Sequence, residues 1–412
     1  MKKRFVLIVA VLMLALPTAP DAWGQWQWTN GPGDIQCLAV RDSTLFAGTS
    51  GDGILLSTDN GSSWSKANVG ITLFGIINAI GVNGTNIFAG SQDEGVFLST
   101  DNGANWTTSS NALTGSFTTA FAVIDTSIFA GTYGGGVFLL TDTGWKAVND
   151  GLSNHLVWSL TVFGTNIFAG TGLGGIFLST NEGINWEAVN HGLTNDSISS
   201  VLALAASQTM LFAGIINIDT GIGGIFISSD YGTNWEVANN GLPNTFPFNV
   251  RALAVSGTNV FAGADFGIFL STNEGTTWTE VDSGLTDTGV NALLVSGNTL
   301  FAGTDSGVWR HPLSDFGISA VSPVASTENS LTSYPNPFSQ STSINFTTPE
   351  SGVATVAIVN ILGATVARIF SGELDAGTHT FMWDKPTGLS AGMYECIVHM
   401  NGRVQRTAMV VN

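Results

Sequence analysis

The sequence predicts an all-β protein: a seven-bladed β-propeller, its N-terminal strand closing the last blade, followed by a small immunoglobulin-like β-sandwich. Three observations carry this expectation. Phe-Ala-Gly recurs seven times, starting at Phe46, Phe88, Phe129, Phe168, Phe212, Phe261 and Phe301, with spacings of 42, 41, 39, 44, 49 and 40 residues. Each copy lies in the same succession of short segments rich in Val, Ile, Phe and Thr and broken by Gly, Asn and Asp, the punctuation of strands and turns. No apolar 3.6-residue period is sustained, and four strands per unit of about 40 residues is the propeller period. Finally, a Trp-bearing fourth strand follows six of the units, at Trp64, Trp106, Trp145, Trp186, Trp235 and Trp278, whereas the seventh unit ends at residues 308–311 without one. Residues 25–30, with Trp26 and Trp28, supply the missing strand from the other end of the chain.

Composition excludes several functions. The chain has 412 residues with 12 Lys+Arg against 30 Asp+Glu, a net charge of −18. Residues 25–311 hold 5 basic and 22 acidic residues, so −17 of that charge belongs to the predicted propeller. Such a surface does not track a phosphate backbone, and nucleic acid is not an expected partner. A hydrophobic share of 44% with 12 Trp supplies a large core and excludes global disorder. Cys37 and Cys396 are the only cysteines, which excludes a disulfide scaffold and a zinc-finger array. They fall in different predicted domains, and no bridge between them is expected.

Taken in order, residues 1–24 read as a secretory signal peptide. Lys2, Lys3 and Arg4 precede an apolar run over residues 5–16, then Pro17 and the small residues Ala22 and Gly24. The run is shorter than the roughly 20 residues a transmembrane helix needs. The predicted propeller covers residues 25–311. Residues 312–330, rich in Ser, Pro and Ala, are a linker. Residues 331–412 alternate as six strands with tight turns, the pattern of a sandwich.

The turn between third and fourth strands carries Ser-x-Asp-x-Gly-x-x-Trp. It stands as Ser57-Asp59-Gly61-Trp64, Ser99-Asp101-Gly103-Trp106 and Ser228-Asp230-Gly232-Trp235. Asn replaces Asp in Ser179-Asn181-Gly183-Trp186 and Ser271-Asn273-Gly275-Trp278, and a shortened copy is Thr141-Asp142-Gly144-Trp145. The motif resembles the Asp-box, or BNR repeat, of sialidases, sortilin-type receptors and photosystem assembly factor propellers. Its role is expected to be local: the Asp or Asn caps its own turn, Gly takes a left-handed conformation, and Trp packs on the blade. The resemblance implies a fold, with these turns on the face opposite the usual ligand site.

Candidate binding residues lie on that other face. Its second-to-third loops carry Asp52, Asp93 with Glu94, Tyr133, Leu173, Asp265, Asp305 and a long insertion with Asp219. Blade connections add Asp150, His155, His191, Asp196, Asp282 and Asp287. The residue opening each innermost strand reads Gln36, Asn78, Thr119, Trp158, Ser200, Arg251 and Asn291, so Trp158 and Arg251 break a small polar series. Trp158 could stack a sugar ring and Arg251 hold an anionic group, or Arg251 could neutralise nearby carboxylates and Trp158 pack between blades. The expected ligand-binding set is Arg251, Trp158, Tyr133, Asp93, Asp265 and Asp305. No catalytic residue, cofactor or metal is expected, since the His155 and His191 pair lacks a third ligand.

Sialidases grip their substrate with three arginines and use a Tyr nucleophile. The predicted propeller has Arg41, Arg251 and Arg310, of which only Arg251 is placed for the ligand face, so sialidase activity is disfavoured. No Gly-x-Ser-x-Gly elbow or P-loop occurs.

The C-terminal region opens on Ser333-Tyr334-Pro335-Asn336-Pro337-Phe338 and contains Ile361-Leu362-Gly363, Trp383-Asp384 and Leu389-Ser390-Ala391-Gly392-Met393-Tyr394. These segments resemble the C-terminal sorting domain of type IX secretion cargo. The ending, Arg406-Thr407-Ala408-Met409-Val410-Val411-Asn412, departs from that family's usual Lys-rich close. The resemblance implies export across the outer membrane, with secretion machinery as the partner of residues 331–412. Together these readings lead to a monomeric, secreted or cell-surface propeller that binds a carbohydrate or protein without catalysis. A glycoside hydrolase or lyase using the loop acids, and a purely structural surface protein, are the alternatives.

Overall fold

The computed structural model describes residues 24–31, 33–71, 75–110, 113, 116–124, 126–193, 200–216, 223–243, 248–318, 331–348, 351–360, 365–390, 392–400 and 403–411. Residues 1–23 of the expected signal peptide, Asp196, Asp219, residues 361–363 and most of the expected linker lie outside the described residues. The chain divides into two compact units, Met1–Val321 and Ser322–Asn412.

Within the first unit, the repeat builds seven four-stranded antiparallel sheets among the described residues. The first sheet shows the plan: β2 (Ile35–Arg41) is innermost, followed outward by β3 (Thr44–Thr49), β4 (Ile54–Ser57) and β5 (Ser65–Lys66). Innermost strands of successive sheets pack side by side in cyclic order, and Val290–Ser296 of the last sheet returns to β2. The ring closes on the beginning of the chain, because β1 (Gln27–Trp28) is the outermost strand of the last sheet and pairs Gln27 with Arg310.

The Phe-Ala-Gly strand is second in every sheet and is covered on both faces, which is why it is apolar without alternation. All seven of its Phe side chains are almost completely buried. Each belongs to a hydrophobic cluster between adjacent sheets, so the core is distributed around the ring rather than gathered in one centre. The glycine has a steric reason. A Cβ on Gly263 would strike Val290 of the next innermost strand.

In the second unit, a three-stranded sheet of Thr332–Tyr334, Ser341–Thr348 and Gly377–Asp384 and a four-stranded sheet of Thr365–Leu374, Gly352–Asn360, Gly392–Met400 and Arg403–Val411 share one core. Phe346, Val356, Ile358, Trp383 and Met409 fill it. The Tyr-Pro-Asn-Pro-Phe segment runs beside the terminal strand: Phe338 forms a parallel bridge with Val411, and the Val410 amide donates to Asn336 Oδ1 at 2.8 Å. Cys37 and Cys396 are free thiols.

Candidate functional site

The Ser-x-Asp-x-Gly-x-x-Trp turns are closed hydrogen-bond circuits. Ser57 Oγ donates to Asp59 Oδ1 at 2.8 Å and accepts from the Gly61 amide at 2.9 Å. The Ser63 amide and hydroxyl then donate to the two Asp59 oxygens at 2.8 and 2.6 Å. This convergence of donors holds the Asp59 carboxyl down at about 2. Asp101 and Asp230 are lowered by the same arrangement, with Asn105 and Asn234 as the leading donors.

The Asn copies keep the circuit by reversing one bond: Asn181 Nδ2 donates to Asn185 Oδ1 and Asn273 Nδ2 to Thr277 Oγ1. Tryptophans closing these turns tie neighbouring sheets together, as Trp186, Trp235 and Trp278 donate from Nε1 to carbonyls of the preceding sheet. Trp26 does the same to the Val281 carbonyl at 2.7 Å and so stands where a seventh such tryptophan would. Trp64 donates to Thr29 Oγ1 instead. The shortened copy differs. Thr141 Oγ1 closes a tight hairpin onto the Gly144 carbonyl at 2.7 Å, and exposed Asp142 caps nothing among the described residues.

The opposite end of the innermost strands is built differently. Every one of them contains a β-bulge: the register skips at Gln36, Asn78, Thr119, Trp158, Leu202, Arg251 and Asn291. A bulged residue leaves the ladder, and its side chain is re-aimed. All seven line one axial cavity of about 330 Å³. The fifth member is Leu202, which corrects the expected Ser200. Leu202 lies twelve residues before Gly214, as Arg251 lies twelve before Gly263, and that constant offset was the available signal.

The mouth of this cavity has two unlike sides. On the third and fourth sheets, Phe117, Tyr133 and Trp158 form an aromatic chain, with ring centroids 5.8 Å apart for Phe117–Tyr133 and 5.2 Å for Tyr133–Trp158. Tyr133 is 48% exposed, and the loop tips Leu173 and Phe266 are also exposed. On the sixth, seventh and first sheets, polar groups are paired. Arg251 Nε donates to Asp265 Oδ1 at 2.6 Å, and Asn249 Nδ2 donates to Asp265 Oδ2 at 2.6 Å. Asn291 Nδ2 donates to Asp305 Oδ1 at 2.8 Å and Gln36 Nε2 to Asp34 Oδ1 at 2.7 Å. Asp287 accepts from the Ser306 amide, and Lys66 Nζ bonds Asp52 at 2.7 Å.

Of the expected binding residues, Trp158 and Arg251 therefore line the cavity, Tyr133 and Asp265 support them directly, and Asp305 holds Asn291. Asp93 stands exposed on the second sheet's loop, outside the cavity wall. Arg251 meets Asp265 rather than standing as an open anion grip. Arg41 donates to the Thr85 carbonyl and Arg310 to the Asn60 carbonyl and Ser62 hydroxyl, so neither joins Arg251.

The expected blade connections divide. Asp150 accepts from Asn185 and His191 Nδ1 lies 2.7 Å from Asn234 Oδ1, both beside the third-to-fourth-strand turns of the following sheet. The His155 carbonyl instead accepts from the Gly134 and Gly136 amides, so the two histidines are not partners. A second cavity of about 450 Å³, beside His191, Met210 and Asp230, has His191, Asn234 and Asp230 of its wall already bonded in a chain.

Asp282 has a separate signal. In the equivalent place Asn68, Asn149, Asn190 and Asn239 each accept from a third-strand amide and donate to a loop carbonyl. Asp282 occupies that position against Gly267, and burial, reinforced by nearby Glu280, pushes its carboxyl up to about 6.

Comparison with known proteins adds the cellular address. Residues 332–412 match the family described as the secretion system C-terminal sorting domain. The chain is exported. Its sorting domain directs it to the cell surface or beyond, through type IX secretion. No helix among the described residues is long and apolar enough to cross a membrane.

Solved structures similar to the chain are β-propellers. The extracellular domain of a hybrid two-component system from B. thetaiotaomicron superposes with a TM-score of 0.60 at 14% identity, over 80% of this chain and 45% of that one. A GH74 xyloglucanase from Xanthomonas campestris gives 0.55 at 17% identity, over 71% of this chain and 54% of that one. YCF48 bound to D1 peptide gives 0.56 at 15% identity, over 72% and 98%. This chain thus spans about half the length of the first two, and the likeness is one of fold. No curated protein matches the chain.

Proposed function

We propose that the chain is an exported, non-catalytic binding protein: a seven-bladed Asp-box propeller over residues 25–311, a linker over residues 312–330 and an immunoglobulin-like sorting sandwich over residues 331–412. Its ligand, a carbohydrate or a protein, sits on the face where the seven bulged residues open. The observation that carries this reading is the mouth itself. Seven successive bulges turn one side chain each into a single cavity, and the rim keeps Tyr133, Leu173 and Phe266 in water. A purely structural propeller gains nothing from such exposure.

The loop acids favour binding over hydrolysis. Asp34, Asp52, Asp265, Asp287 and Asp305 each hold a neighbouring side chain or amide, which suits a fixed rim better than a proton-transfer pair. A pull-down from the surface glycans and proteins of the producing cell, using the full chain as bait, tests the reading. Capture should be lost in Trp158→Ala and Arg251→Ala chains that still fold, and unchanged capture by both would remove the ligand from this face.

A further inference from the structure

We infer that the ligand at the cavity mouth is a neutral glycan, which rests on the proposal that this face binds. Charge argues against either ionic class. An anionic group approaching Arg251 finds it already paired with Asp265 at 2.6 Å, with Asp305 and Asp34 on the next two sheets. A cationic group drawn to those carboxylates meets the Arg251 guanidinium, whose side chain is 48% exposed and whose Nη groups have no hydrogen-bond partner among the described residues. What remains is an uncharged ligand that both donates and accepts, which is the chemistry of a hydroxyl.

The walls match that chemistry. The amides of Gln36, Asn78 and Asn291 and the Arg251–Asp265 pair present donors and acceptors together around the opening. Tyr133 and Trp158 give the apolar surface on which the C–H face of a sugar ring packs. A cavity of about 330 Å³ lies at the lower end of the ~300–1,000 Å³ range of small-ligand sites, which suits a short saccharide.

Calorimetric titration of the full chain tests this with three probe sets: cello-, xylo- and manno-oligosaccharides; oligogalacturonate and sulfated oligosaccharides; and Lys-rich and Asp-rich peptides. Saturable binding of a neutral series is expected, weakened at least tenfold by Tyr133→Ala and by Arg251→Ala with unchanged melting temperature. Should Tyr133→Ala melt early, Tyr133→Leu keeps the contact with Phe117 and removes the aromatic face. Binding of only the charged sugars, or of only a peptide, lost in the same variants, overturns the neutral-glycan assignment and leaves the binding face standing. Binding that survives both substitutions, or none with any probe, overturns the face itself.

Discussion

At Asp59 the carboxylate accepts from two donors of Ser63 and one of Ser57, so both its acceptor oxygens and its charge contribute. Asp59→Asn should melt slightly below the parent at neutral pH, because Asn keeps the circuit as Asn181 and Asn273 do but gives up the charge. Asp59→Ala should melt a few degrees lower by calorimetry. The depressed carboxyl contributes stability that is present above the ordinary carboxylate range and lost as pH falls through about 2. Asp282 runs the other way. Its folded-state value, raised to about 6, means that the folded protein binds this proton more tightly than the unfolded chain. The contribution is fully present below about pH 4 and disappears as pH rises through about 6. Asp282→Asn should therefore raise the melting temperature at pH 7.5, by roughly 2 °C after allowing for solvent screening, and leave it unchanged at pH 4. An equal effect at both pH values would refute the protonated, Asn-like role. The recurrent Asn at this place was readable in the sequence, but the meaning of Asp282 was not. It depends on how deeply the fold buries the carboxyl and on how close the charge of Glu280 comes to it.

Among elements, strand order was legible and strand detail was not. Phe-Ala-Gly marks the second strand because only a doubly covered strand needs Phe and Ala together, and only a closely approached one needs Gly. A bulge leaves no composition mark, since it adds a residue without changing its neighbours' polarity. Ser200 was thus the natural polar choice where Leu202 in fact leaves the ladder. Asp142 and His191 misled for a related reason: one sits in a hairpin too short to cap, and the other beside the next sheet's turn. Two substitutions test the packing between sheets. Phe168→Ala, in a side chain with no exposure, should cost about 3–5 kcal/mol in chemical denaturation. Gly192 holds φ +90°, and a Cβ there would collide with the Trp235 carbonyl. Gly192→Ala should therefore cost more than about 1 kcal/mol, and a neutral result would show that the connection can move aside.

For the whole molecule, the ring and the address are separate. Removing residues 332–412 should leave the propeller folded but retained in the cell, which fractionation and circular dichroism of the truncated chain would show. Removing residues 24–30 should do the reverse, taking Trp26 and β1 from the last sheet and lowering the melting temperature while the sorting domain still directs export. That β1 pairs with the last sheet also sets a schedule for the polypeptide. Gln27 and Arg310 are 283 positions apart (310 − 27), and such distant ends meet late, after the loop between them has been drawn in. The first described strand must wait for one of the last propeller strands, and until the two pair the circle of sheets stays open at a single seam, between the last sheet and the first.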